Sequence, residues 1–380
     1  MTLLKTTLLT AALGAGLATS PAFARELNFA IGHPPGSYTI QGGEEFAKTL
    51  SQETGGALSA KVYAMSLLNM AETSSGLREG LADIGTVMST YFPAEFPATN
   101  FLLDASMLLN LMGEEAAKVA GPAYAGAMAE YVMLNCPECT TEFAAQNQVY
   151  TGAAGTPGYG LNCTRPVASL EQMKGARLRI GGAAWARWSE AVGATPVTMS
   201  GNEMLEALSQ GVLDCIVLAV PDVQNFGMGA SVKHVTLGAP GGVYIASLTN
   251  VNREVWQELS EAERGAFMKA AARANAVATW AYHAGEAEVL EKIRAGGVQV
   301  HQADAALRDA SAAFVERDLA AMSETAKGKG LARAPEMLAE FRPLVEKWVG
   351  LTKDISDAEA LTDLYWREVY SKVDVTRHGF

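Results

Sequence analysis

Arg177 and Arg179 stand two positions apart in the short stretch Arg177-Leu178-Arg179-Ile180. If that stretch is a strand, both guanidiniums lie on one face of it, because side chains alternate. A guanidinium presents paired donors in a plane, the shape a carboxylate accepts. Held in a closed gap, such a pair is worth more than on a surface. The plainer assignments are a structural ion pair for Arg179 and a solvent- or helix-facing side chain for Arg177. Aromatic and polar residues lie in the neighbouring loops. Trp185 and Trp188 follow at the start of a predicted helix. Trp185 can wall a cleft, although i,i+3 spacing equally suits packing on a core. His33 and Tyr38 flank the Pro34-Pro35-Gly36 loop, and either can donate to an acid or simply satisfy backbone groups. Phe92 can pack over a ligand, and Gln224 can offer it a polar contact.

Other chemistries lack their residues. There is no G-x-S-x-G elbow and no G-x-x-x-x-G-K-[ST] loop, and no pair of acid and base residues flanks the expected cleft. His234, His283 and His301 occur singly, without the His-x-x-x-His spacing of a zinc helix, and read as surface or satisfied core residues. Cys136-Pro137-Glu138-Cys139 has a redox or zinc spacing, but neither a second Cys pair nor a nearby His completes a metal set. It also follows the end of a helix, not the strand-to-helix junction of a thioredoxin-like site. No cofactor and no metal are expected. In a disulfide-permitting compartment, the expectation is a bridge between Cys163 and one of Cys136 and Cys139, with Cys215 a small core residue.

That compartment follows from the N-terminus. Lys5, the apolar run 8–18 and Ala22-Phe23-Ala24 read as an export signal at 1–24 with a small-x-small cleavage site, leaving Arg25 to begin the mature chain. The apolar stretch is too short to span a bilayer comfortably. The expected product is a soluble protein in the periplasm, with no membrane insertion after cleavage. The 380 residues carry a formal charge of −12 and no basic tract, so nucleic acid is not an expected partner.

The elements that must position these residues alternate. Strands are predicted at 27–31, 58–62 and 83–88, with helices at 39–53 and 71–79 between them. The same β-α-β order recurs: strands at 176–180, 195–198 and 213–218, helical segments at 170–174, 183–192 and 202–209. A strand at 244–249 can return to the first unit. A long amphipathic helical region covers 260–296, with a short strand at 298–300 and mostly helix to about residue 370. The fold class is α/β in two lobes: lobe I at 25–150 with about 240–285 returning to it, lobe II at 151–239, and a mainly helical region at 286–380 packed across them. Ligand sites in open α/β sheets lie beyond the carboxyl ends of strands, here the loops after residues 31, 88, 180 and 218.

Several segments, in order and spacing, resemble the DctP-like solute-binding proteins of tripartite ATP-independent periplasmic (TRAP) transporters. These are G-x-x-x-F-A at 42–47, LREGLAD at 77–83, SLEQMKG at 169–175 running into LRI at 178–180, VGATPV at 192–197, EMLEALSQGVLD at 203–214 and NVNREVW at 250–256. The resemblance covers about residues 27–320. It implies a type II-like two-lobe binding protein that closes on an organic acid, with Arg179 as the carboxylate-binding arginine and Asp214 fixing a local loop. It also implies membrane permease subunits as partners and no enzymatic activity. The departures matter. An Arg common among relatives aligns with Tyr159, an Asn-Pro pair with Leu218-Ala219, and a Glu of sialic-acid binders with Met88. Tyr159, Met88 and Leu218 therefore favour an amphipathic, branched or aromatic monocarboxylate, with benzoate-like acids outranking succinate and sialic acid. The alternatives are a C4-dicarboxylate or a keto or hydroxy acid, a ligand-sensing accessory role, and a periplasmic hydrolase. A monomer is expected.

Overall fold

The computed structural model describes residues 24–380. The export signal read at 1–24 lies outside them but for its last position. Two six-stranded sheets form, each with its own apolar cluster. In the first half of the chain run β1 (Arg25–Ile31), β2 (Leu58–Ala64), β3 (Ile84–Val87), β4 (Gln148–Val149) and β5 (Ala154–Gly155). Then come β6 (Gly160–Cys163), β7 (Arg177–Ile180), β8 (Thr195–Thr198), β9 (Cys215–Leu218) and β10 (His234–Leu237), followed by β11 (Ile245–Asn252) and β12 (Gln299–Gln302).

The first sheet is ordered β2-β1-β3-β11-β4, with β5 also on β11. Strands β1, β2 and β3 are parallel, and β11 returns antiparallel to β3, β4 and β5. The second sheet is ordered β12-β10-β6-β9-β7-β8, with β7, β8 and β9 parallel. Strand β12 pairs with β10 and so joins the second sheet. Parallel strands require helical crossovers, which is why the sequence alternates as it does.

The helices follow local rules. Ser37 caps the helix Tyr38–Glu53 by accepting from the Ile40 N–H, and Ile40, Phe46 and Leu50 form its buried stripe. The helix Glu261–Ala295 starts with a capping box, Ser260 with Glu263. At 35 residues it is about 50 Å long and serves both lobes. Phe267, Ala270 and Ala274 belong to the first cluster, whereas Val289 and Ile293 belong to the second. Its alanines let the helix Tyr38–Glu53 approach closely: a Cβ on Gly42 would sit 2.9 Å from the Ala274 carbonyl. Among the described residues no helix is long and apolar enough to cross a membrane.

The cysteine expectation is overturned. The disulfides are Cys136–Cys139 and Cys163–Cys215. Strands β6 and β9 are antiparallel neighbours that place Cys163 directly opposite Cys215. Cys136 and Cys139 belong to the other lobe's core, out of reach of Cys163. Strand order within a sheet decided the pairing, and spacing along the chain does not reveal it.

Candidate ligand-binding cleft

The carboxyl ends of β1, β2 and β3 face those of β7, β8 and β9 across a cavity of about 40 Å³. His33 enters it from the loop after β1, Met70 from the loop after β2, and Met88 and Tyr91 from the segment after β3. The opposite lobe contributes Arg179 near the end of β7, Gly201 and Met204 after β8, Leu218 as the last residue of β9 and Asp222 beyond it. Tyr159, Tyr244 and Tyr282 complete the wall.

The lobes touch, so this is a closed conformation. Asn202 donates from Nδ2 to the Gly32 carbonyl (2.9 Å) and accepts at Oδ1 from the Met70 N–H (3.1 Å). Thr90 donates to the Gly181 carbonyl (2.6 Å). The Tyr91 hydroxyl accepts from Arg179 Nη2 (2.7 Å) and from the Gly201 N–H (2.9 Å).

Arg179 is 3% exposed. Its Nε donates to the Met199 carbonyl (3.1 Å). Among the described residues no carboxylate lies within 4.0 Å of its guanidinium, and no acceptor reaches Nη1. A buried cation without a paired counter-ion is costly, and Arg179 lines the cavity. Asp222 is the opposite charge in the wall. Its Oδ1 accepts from Tyr282 Oη (2.7 Å) and Asn225 Nδ2 (3.0 Å), whereas no donor among the described residues reaches Oδ2. Burial pushes its carboxyl up to about 6, against the pull of those two donors and of Arg179. Burial also lowers His33 to about 4, so its imidazole is neutral, and Nδ1 has no partner. The Tyr159, Tyr244 and Tyr282 hydroxyls are held protonated by burial.

Of the residues singled out in the sequence, Arg179, His33, Tyr159, Met88 and Leu218 line this cavity. The others do not. Tyr38 stacks edge-on against Tyr282 (5.3 Å) and sits over Gly285, so its ring is turned to the long helix. Trp185 lies one layer back, stacked on Tyr159 (4.6 Å) with Nε1 donating to the Gly241 carbonyl, and it supports the wall without forming it. Trp188 is core and donates to Ser311. Phe92 packs against the first lobe's cluster. Gln224 is exposed and accepts from Lys292, on the outer side of a helical turn whose Val223 and Asn225 are buried. Arg177, where β7 begins, is at the surface and pairs with Asp214, which also accepts from the Arg177 N–H. Sequence reasoning missed Asp222, Tyr91 and Tyr282. The signal available for Asp222 was an acid in the first turn after a cleft strand, a position equally common as a plain helix start.

Residues 29–325 match the model of the bacterial extracellular solute-binding proteins, family 7, the DctP family. The chain belongs to that family. Solved structures share its fold. An extracytoplasmic solute receptor of Bordetella pertussis that binds pyroglutamic acid is 23% identical, with a TM-score of 0.68 over 84% of this chain and 100% of its own. A TRAP periplasmic solute-binding protein of Bordetella bronchiseptica with bound (R)- and (S)-mandelate is 22% identical, with a TM-score of 0.70 over 85% and 99%. One from Chromohalobacter salexigens with bound D-glucuronate is 18% identical, with a TM-score of 0.67 over 84% and 99%. This DctP-family chain is therefore a bacterial extracellular solute-binding protein, not an enzyme.

Proposed function

We propose that the cleft captures a compact monocarboxylate bearing an N–H or O–H donor and delivers it to its TRAP permease. The observation that carries this reading is Arg179, buried in the cavity wall, with no counter-ion within 4.0 Å and no acceptor at Nη1 among the described residues. A ligand carboxylate supplies the missing charge. Asp222 refines it. Its free Oδ2 asks for a donor, and a second carboxylate there would meet like charge in a desolvated site. Met70, Met88, Tyr159, Leu218 and Phe226 supply an apolar wall for a ring or branched body. Pyroglutamate and mandelate, the ligands of two relatives, each combine a carboxylate with a donor on a compact apolar frame.

A thermal-shift screen with pyroglutamate, mandelate, benzoate, succinate and glucuronate tests this reading. Pyroglutamate and mandelate, compact acids with a donor, are expected to outrank benzoate, and all three to outrank succinate and glucuronate. Arg179→Ala should weaken binding by at least about a hundredfold, since one partner of a buried pair is lost. A selective shift with succinate, or an Arg179→Ala variant that binds normally, overturns the reading.

A further inference from the structure

The Tyr91 hydroxyl lies between the lobes. It is carried by the first lobe, after β3, yet both its neighbours, Arg179 Nη2 at 2.7 Å and the Gly201 N–H at 2.9 Å, belong to the second. Both are donors, so they take the acceptor capacity of the phenol oxygen. Its own proton has no acceptor among the described residues. The ring lines the cavity beside the guanidinium.

From this geometry we infer that Tyr91 is a ligand-binding residue. Its O–H donates to the same carboxylate that Arg179 Nη1 grips. The inference rests on the carboxylate reading above and deepens it. An acid bound only to Arg179 would touch one lobe and gain nothing from closure. An acid that also accepts from Tyr91 ties the first lobe to the second, so binding favours the closed form by its differential contact. The hydroxyl also orients the fork: with Nε on the Met199 carbonyl and one N–H of Nη2 on Tyr91, both N–H groups of Nη1 and the second of Nη2 are left for a ligand.

The test uses the full mature chain and pyroglutamate, or mandelate where its thermal shift is larger. Tyr91→Phe should raise Kd about tenfold to a hundredfold, the range for losing a hydrogen bond to a charged group. Because Tyr91→Phe also strips an acceptor from Arg179 and Gly201, a second variant separates the roles. Replacing Tyr91 with 3-fluorotyrosine makes the phenol a stronger donor and a weaker acceptor. Binding equal to or tighter than wild type supports donation to the ligand. Weakening in step with Tyr91→Phe means the hydroxyl only accepts, and the inference fails. It also fails if Tyr91→Phe binds within twofold of wild type while Arg179→Ala does not bind, an outcome that leaves the carboxylate reading standing. If wild type binds none of the monocarboxylates, that reading falls and takes this one with it.

Discussion

Asp222 gives the cleft a pH dependence whose sign differs between binding and folding. Its carboxyl titrates near 6 because burial disfavours the charge. If Oδ2 accepts from the ligand, affinity is present above 6 and falls as pH drops through it. From pH 7 to pH 5 the ionised fraction falls roughly tenfold, and Kd should rise about as much. Asp222→Asn should flatten that profile, which calorimetry at several pH values measures; an unchanged profile would remove Asp222 from the ligand's contacts. Folding runs the other way. A carboxyl raised above its unfolded value near 3.9 binds its proton earlier in the folded state, so Asp222 contributes stability on acidification from about 6 toward 4. His33, lowered to about 4, opposes this: it takes up its proton more readily when unfolded, and stability is lost as pH falls from about 6.5 to 4. Asp222→Asn should therefore raise the melting temperature at pH 7.5 while weakening binding.

At the scale of elements, the two disulfides predict unequal effects. Cys163–Cys215 closes a separation of 52 residues, and Cys136–Cys139 closes one of 3. In the chain-entropy account these are worth about 4 and about 2 kcal/mol. Denaturant melts of Cys163→Ala/Cys215→Ala and Cys136→Ala/Cys139→Ala should show the first pair losing about twice as much. Equal losses would mean that strain or residual structure outweighs loop closure. The elements also show what periodicity can read. The helix Tyr38–Glu53 was legible because it has one buried face between clear stops, and β7 because apolar residues alternate after the turn at Gly175. The helix Ala120–Leu134 has no such stripe, being buried on nearly every side against Phe341, Trp348 and its own lobe's core. The place of Arg179 in the cavity wall was legible through its motif. Asp222 and Tyr91 were not, because only the meeting of the lobes turns them toward one cavity, and that meeting leaves no local mark in the sequence.

Across the whole molecule, the proposed capture requires the lobes to open and close, and Asn202 is the contact by which to shift that equilibrium. Its amide spans the gap, donating to Gly32 and accepting from Met70, loops that follow β1 and β2 of the opposite lobe. It does not line the cavity, so its removal alters closure without altering the surface the acid meets. Two hydrogen bonds at about 1 kcal/mol each shift a closed-to-open ratio by roughly thirtyfold. Apparent affinity scales with the closed fraction, so Asn202→Ala should weaken binding by up to that factor, more where the open form already dominates. Small-angle scattering should show the variant more expanded than wild type without added acid and equally compact once the acid saturates it. The loss of affinity should also appear in Kd for every acid alike, whereas changes at Tyr91 or Asp222 should reorder the acids. An Asn202→Ala protein with wild-type scattering and affinity would mean that closure is held elsewhere. The ion pair of Arg187 with Asp104 and Asp318, which also joins elements of the two halves, would be the next contact to cut.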